Sequence, residues 1–357
     1  MYWKNCVGFE QQIDKFRTAI RANRLASTYL FVGPSGIGKR HFAKTLAKAL
    51  LCSRNPEADL MPCNECPDCV QFDGGLHPDL HVVSKPVEKA YIPVELFIGS
   101  SSKRMREGLC HDFSRKSYRG KRKIGIIEDA DYFNDEGANA ILKLLEEPPP
   151  RSLLMLLGTS ATRQLPTIRS RSQIITFRPL LPEQIEQIVN LPHVVQKLIE
   201  SGLIDNEQAL NEIDVRPLAR MAHGNMENVI QLLDPAVREF HEQFVTQLSS
   251  FDPSQDDFTK TTESFIDEVG KENALRRLRF SNLCDTAINF YRGKMLECAT
   301  NDADLAVRFA DCIERCMEAQ SHAAANMNLA NLIEIWLVDL GKISRGEITR
   351  GIAKIGV

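Results

Sequence analysis

A chain of 357 residues is too long for one ordinary hydrophobic core, and its length predicts two or three domains. With 43% apolar and 25% charged residues, and no run approaching the roughly 18 uninterrupted apolar residues of a membrane helix, the composition is that of a soluble globular protein. A net charge near -3 provides no whole-molecule attraction to nucleic acid, so only a local basic face could hold DNA.

The segment Met1-Tyr2-Trp3-Lys4-Asn5 has no apolar run followed by a small-residue cleavage site, which makes the cytoplasm the expected location. From about Tyr29 to Phe177, short aliphatic runs alternate with helical stretches. That alternation predicts an α/β domain with a parallel sheet covered by helices. Strands are expected at Tyr29–Val32, Leu80–Val83, Ile124–Ile127, Leu153–Leu157 and Ile174–Phe177, each nearly all apolar, as strands buried on both faces are.

Directly after the first strand stands Gly33-Pro34-Ser35-Gly36-Ile37-Gly38-Lys39, followed by a helical run through Phe42, Leu46 and Leu50. Strand, glycine turn and helix in this order form a phosphate cradle. Gly33, Gly36 and Gly38 let backbone N–H groups close on a phosphate, and Lys39 can reach the outer phosphates. The alternative is a tight glycine turn without a ligand. At the next position, where such loops carry a Ser or Thr hydroxyl for Mg²⁺, this chain has Arg40, and a guanidinium has no lone pair to give a metal. ATP and Mg²⁺ binding by this chain is therefore in doubt.

Four of the ten cysteines crowd into Cys52, Cys63, Cys66 and Cys69, with turn-forming Asn64 and Pro67-Asp68 between them. Four soft ligands at this spacing suit a closed, structural tetrahedral Zn²⁺ site, with a redox pair as the alternative. His77 is expected to be structural, because four ligands are already present. Basic residues gather at Lys103, Arg104, Arg106 and again at Arg115, Lys116, Arg119, Lys121, Arg122 and Lys123. Without interleaved aromatic residues they predict a solvated loop before a strand rather than a DNA-binding face.

The third strand ends in Glu128-Asp129-Ala130-Asp131, inverting the Asp-Glu order usual in ATPases, so each carboxylate sits one methylene from its usual reach. The next helix, through Asn139–Glu147, is stopped by three prolines; then come Gly158-Thr159-Ser160 and Ser170-Arg171-Ser172. Beyond Arg178-Pro179-Leu180-Leu181-Pro182 the periodicity is helical, to about Asp234-Pro235 for a small domain and to the end for a third, all-helical one, with a break at 251–257.

Together the glycine loop, the Cys cluster, the Leu144-Leu145-Glu146-Glu147-Pro148-Pro149 helix end and the Ser-Arg-Ser segment resemble the clamp-loader branch of the AAA+ ATPases, over roughly Trp3 to Asp234. The resemblance implies a P-loop AAA+ domain over 1–178 with a zinc module at about 52–69, a helical lid over 179–235 and a helical collar over 236–357. It implies that Arg171, flanked by Ser170 and Ser172, is an arginine finger reaching a neighbouring subunit's ATP, and that Glu128, Asp129 and Thr159 line this chain's own nucleotide place. Where hydrolysing members carry a second sensing arginine, this chain has Glu227. Arg40, the Glu128-Asp129 pair and Glu227 depart from an ATPase in the same direction. They imply the stationary, non-hydrolysing member of a bacterial DNA polymerase III clamp loader. Its implied partners are gamma/tau-like and delta-like subunits in a hetero-pentamer, with the sliding clamp and primer-template DNA reached through the complex at a nucleoid-associated replisome. The enzymatic alternative is an active ATPase resembling the gamma or tau motor; a third is a nucleic-acid-binding module using the basic loop.

Overall fold

The computed structural model describes residues 3, 6–86, 89, 91–211, 213–250, 256–270, 272–325 and 327–348, with backbone alone at 211, 256 and 274. The chain divides into two compact units, one of Met1–Arg220 with Gly224–Glu227 and one of Met221–His223 with Asn228–Val357. Most of the break expected at 251–257, namely 251–255, lies outside the described residues.

In the first unit, helix α1 (Glu10–Arg21) leads into strand β1 (Thr28–Val32), then α2 (Lys39–Leu51), α3 (Pro67–Asp73) and β2 (Leu80–Val83). Next come α4 (Glu95–Ile98), α5 (Leu109–Ser114), β3 (Lys123–Ile127), α6 (Asp135–Glu146), β4 (Ser152–Gly158), α7 (Pro166–Arg169) and β5 (Gln173–Thr176). All five strands fall within a residue or so of their expected places, and every pairing is parallel in the order β2-β3-β4-β1-β5. β1 lies between β4, with Val32 beside Gly158, and β5, with Val32 beside Thr176.

Burial on both faces accounts for the apolar runs of β1, β3 and β4, which are buried along their whole length. Alternation along β1 sends Leu30 and Val32 into a core with Phe97, Ile127, Ile141 and Ile168. Its other face sends Phe31 against Phe42 and Phe177, with ring centroids 5.8 and 5.1 Å away. α6 starts at Asn134, whose side chain accepts a hydrogen bond from the Gly137 N–H (2.8 Å), and it buries Ala138, Ile141 and Leu145. Short helices α8 (Pro182–Val189), α9 (Pro192–Glu200), α10 (Glu207–Asn211) and α11 (Val215–Met221) follow the sheet.

After α12 (Met226–Leu232), the second unit is helical throughout its described residues: α13 (Pro235–Ser249), α14 (Asp256–Asp267), α15 (Asn273–Cys298), α16 (Ala303–Ala324) and α17 (Leu329–Arg345). Each of α13, α16 and α17 opens on a side-chain cap, Asp234, Asp302 and Asn328. Trp336 is fully buried against Phe280 (5.2 Å) and Phe244 (6.0 Å), and its indole N–H donates to Cys316 Sγ. Along α16 the apolar stripe divides: Phe309 is core and Met317 faces outward, while on α17 Leu332, Leu337 and Leu340 are core and Ile335 is exposed. Among the described residues no helix is long and apolar enough to cross a membrane.

Candidate functional site

The glycine loop leaves the sheet where β1 ends. Gly33 N–H donates to Thr159 O (3.1 Å), just past the end of β4, which places Thr159 against the loop. Gly36 and Gly38 have φ of 66° and 97°, the left-handed region that glycine enters without strain. A Cβ on Gly36 would overlap the side chain of Asn225, and Met226 N–H donates to Gly36 O (2.9 Å), so the 224–227 segment is seated on the loop. Lys39 begins α2 and turns back, its ammonium donating to Gly33 O (2.7 Å) and Pro34 O (2.5 Å). Burial lowers its pKa to about 8, against the opposing pull of Asp131, Glu227 and Asp129.

Arg40, one residue into α2, pairs with Glu128, just beyond β3. Its Nε and Nη2 each donate to one carboxylate oxygen, a bidentate fork across the sheet end. Asp129, in the left-handed conformation (φ 57°), has its pKa raised by burial and then by Glu128. Asp131 is taken up locally: its carboxylate accepts the Thr159 N–H (2.7 Å) and the Gln164 amide (2.5 Å). The structure thus gathers Gly33, Gly36, Gly38, Lys39, Glu128, Asp129 and Thr159 around one loop. Asn225, whose side chain stands against Gly36 and also accepts the Glu227 N–H (2.9 Å), and Gln164, which donates to Asp131, adjoin it; sequence reasoning singled out neither, because their contacts to the loop and to Asp131 are remote in the chain.

Arg171 follows α7, with Nη1 donating to Thr167 O (3.1 Å) and Ser170 Oγ (3.3 Å) and Nη2 to Glu146 Oε1 (2.7 Å). Its side chain is 35% exposed and that of Glu146, the last residue of α6, is 50% exposed. Ser172 Oγ donates to Ile168 O and Ser170 Oγ to Thr167 O, which stiffens the turn.

The four cysteines converge. Cys52 caps the C-terminus of α2, Cys66 caps the N-terminus of α3, and the Sγ atoms of Cys52, Cys63, Cys66 and Cys69 all lie within 4.8 Å of one another. A tetrahedral S₄ site with bonds of about 2.3 Å has edges near 3.8 Å, so a metal ion fits with a small contraction. A disulfide needs sulfurs about 2.05 Å apart, whereas Cys52 and Cys66 stand 4.0 Å apart. Backbone N–H groups of Cys63, Cys66 and Cys69 point at these sulfurs. Burial pushes the Cys66 thiol up, but hydrogen bonds from Ser53 and Cys69 outweigh it and bring it down to about 5, whereas burial pushes its neighbour Cys69 up to about 12. His77 is no ligand of this cluster: its Nδ1 accepts the Asp79 N–H (3.1 Å) and its Nε2 lies 3.5 Å from Asp68.

Lys103, Arg104, Arg106, Arg115 and Lys116 are exposed, in keeping with the expected solvated loop, but three of the basic residues that follow hold this module in place. Arg119 pairs with Asp68 (3.2 Å), Arg122 with Glu57 (2.8 Å), and Lys121 donates to Cys52 O. Lys123 is buried and donates to Asp112 O (2.6 Å) and Arg115 O (2.9 Å), while Asp79 accepts the N–H groups of Tyr118 and Arg119.

A glycine loop at the end of an inner strand of a five-stranded parallel sheet, followed by helices, defines an α/β P-loop domain with a helical C-terminal part. Residues 8–181 match the family described as DNA polymerase III, delta subunit. A DNA polymerase III subunit delta' of Bacillus subtilis (strain 168) is 34% identical over 188 residues, 52% of this chain and 52% of that one. The subunit delta' of Pseudomonas aeruginosa PAO1 is 38% identical over 146 residues, 41% of each chain. DNA polymerase III subunit tau of Escherichia coli (strain K12) is 28% identical over 246 residues, 68% of this chain and 34% of that one. Over this N-terminal segment the chain is similar to DNA polymerase III delta and delta' subunits, and it spans about half the length of the delta' relatives it matches.

Proposed function

We propose that the chain is a non-hydrolysing clamp-loader subunit that inserts Arg171 into the ATP site of a neighbouring gamma/tau-like subunit while the complex loads a sliding clamp during DNA replication. The observation that carries this reading is the setting of Arg171. It stands at the surface in the family-matched segment, on a turn stiffened by Ser170 and Ser172, and is held by an exposed carboxylate, Glu146. An exposed pair of this kind is worth about 0–1 kcal/mol, so a phosphate on an adjoining subunit can take the guanidinium over at little cost. The permanent, planar, bidentate charge of arginine suits that task.

The absence of hydrolysis rests on the chain's own loop. Position 40 offers no metal ligand, and Glu128, Asp129 and Asp131 all have partners within the chain. Zn²⁺ is the metal proposed for Cys52, Cys63, Cys66 and Cys69, as a structural ion. The segment 179–235 is proposed to act as the lid and the helices of 236–357 as a collar, with exposed Met317 and Ile335 as candidates for packing against other subunits of a hetero-pentamer that includes a delta-like subunit. Primer-template DNA and the clamp would be reached through that complex in the cytoplasm, at a nucleoid-associated replisome. Because Arg119, Lys121, Arg122 and Lys123 already have partners, direct DNA contact by the basic region would fall to the exposed Lys103, Arg104, Arg106, Arg115 and Lys116.

A second reading, an active ATPase of the gamma/tau kind, is favoured by one observation: the tau relative aligns over 68% of the chain. Two measurements separate the readings. Arg171→Ala should leave the chain folded and lower ATP turnover by the reconstituted complex by roughly 10³ to 10⁵; unchanged turnover removes the finger. The purified chain alone should show no turnover sensitive to Lys39→Ala; turnover lost in that variant would establish the motor.

A further inference from the structure

The inference concerns the chain's own glycine loop and stands or falls apart from the role of Arg171. In phosphate loops generally, Mg²⁺ is held by the hydroxyl that follows the loop lysine and by a carboxylate at the end of a nearby strand. Here those two positions are Arg40 and Glu128, 88 residues apart in sequence, and they bind each other.

The residues present do not fit the ion. A guanidinium has donors only, so position 40 supplies no ligand oxygen. Both oxygens of Glu128 accept from Arg40, and the carboxylate is buried, its side chain 7% exposed, while Arg40 lies 63% exposed above it. Mg²⁺ demands close to six oxygen ligands in octahedral order and gives up its water reluctantly. To enter, it would have to break a bidentate pair and then stand beside the displaced positive charge. The proton on Arg40 is held more tightly than usual, through the hydrogen bond to Glu128, so the guanidinium does not neutralise to make way.

We infer that Arg40 and Glu128 are a matched exchange, in which an internal cation occupies the divalent-ion place of the loop and keeps Mg²⁺ out, whether or not nucleotide phosphate is present. Each change alone would be unfavourable: arginine opposite a short carboxylate would not reach its fork, and a buried glutamate opposite threonine would lack its counter-charge. Together they supply what the metal supplies elsewhere, a positive charge bridging the first turn of α2 to the end of β3.

Isothermal titration of the full-length chain with ADP, in excess MgCl₂ or in EDTA, tests this with the double variant Arg40→Thr/Glu128→Asp. The unaltered chain should give the same result in both buffers, within about twofold, absence of measurable binding in both included. The double variant should bind ADP at least about tenfold more tightly with Mg²⁺ than without. The inference is overturned if the unaltered chain tightens about tenfold or more with Mg²⁺, or if a folded double variant gains no such dependence. Should the double variant fail to fold, electron paramagnetic resonance of Mn²⁺ added to the unaltered chain with ADP decides: no protein-bound Mn²⁺ supports the exchange, and one bound ion per chain ends it.

Discussion

Removing the metal proposed for the Cys cluster perturbs the first unit in a way that can be worked from its geometry. The ion would tie Cys52, at the end of α2, to Cys69, within α3, closing a loop of about 18 residues with Cys63 and Cys66 on the same centre. Treated as one cross-link, a loop of about 18 residues restricts the unfolded chain by about 3 kcal/mol, and the shorter loops add to this. For a unit of this size each kcal/mol moves the melting temperature by roughly 2–4 °C, so the expected fall is at least about 6 °C. Metal content by mass spectrometry should give about one zinc per chain. A strong chelator or Cys66→Ser should lower the melting temperature of the first unit and raise amide hydrogen exchange over residues 52–73. A metal-free chain that melts unchanged would refute both the site and the loop argument.

Phe42→Ala should destabilise the first unit by about 3–5 kcal/mol in denaturant titration, because the ring is fully buried among those of Trp3, Phe9, Phe16, Phe31 and Phe177; a loss below about 1 kcal/mol would contradict that packing. His241 is buried beside Thr286, and burial, helped by Arg279, lowers its pKa to about 4. The unfolded imidazole, near 6.5, binds protons first on acidification, so the stability it contributes is complete above pH 6.5 and is lost as pH falls toward about 4. The loss amounts to about 3 kcal/mol at most. His241→Gln should flatten the acid limb of the melting profile of the second unit; an unchanged acid limb would show that His241 does not cause it.

β1, β3 and β4 were legible because each is a run of five to seven residues buried on both faces. β2 and β5, expected to be buried likewise, are edge strands with exposed residues, because each lacks a neighbour on one side. The glycine loop was legible because its chemistry is local in sequence. The cysteine cluster was legible for the same reason, since short spacing implies spatial proximity. What could not be read were the partners of charged side chains. Arg122 meets Glu57 across 65 residues, Arg171 meets Glu146 across 25, and Arg40 meets Glu128 across 88. Periodicity carries no information at such separations. A run such as Arg119-Gly120-Lys121-Arg122-Lys123 therefore looks like a charged loop, although Arg119, Lys121 and Arg122 hold the edge of the cysteine module.

Both candidate sites hang on one helix. α2 begins with Lys39 and Arg40 at the glycine loop and ends at Cys52 in the sulfur cluster, with Phe42, Leu46 and Leu50 fully buried between. At 1.5 Å per residue its 13 residues span roughly 20 Å, and a helix packed along that length transmits displacement rather than absorbing it. A metal closing the far end would therefore do more than order a loop: it would fix the axial position of α2 and with it the reach of Arg40 toward Glu128. In a loop that carries its own cation, that reach sets the position otherwise set by bound Mg²⁺. The same Cys66→Ser chain is thus expected to loosen the Arg40–Glu128 pair, seen as faster exchange of amides in the first turn of α2. Unaltered exchange there, alongside loosened 52–73, would mean that the two ends of the helix are independent.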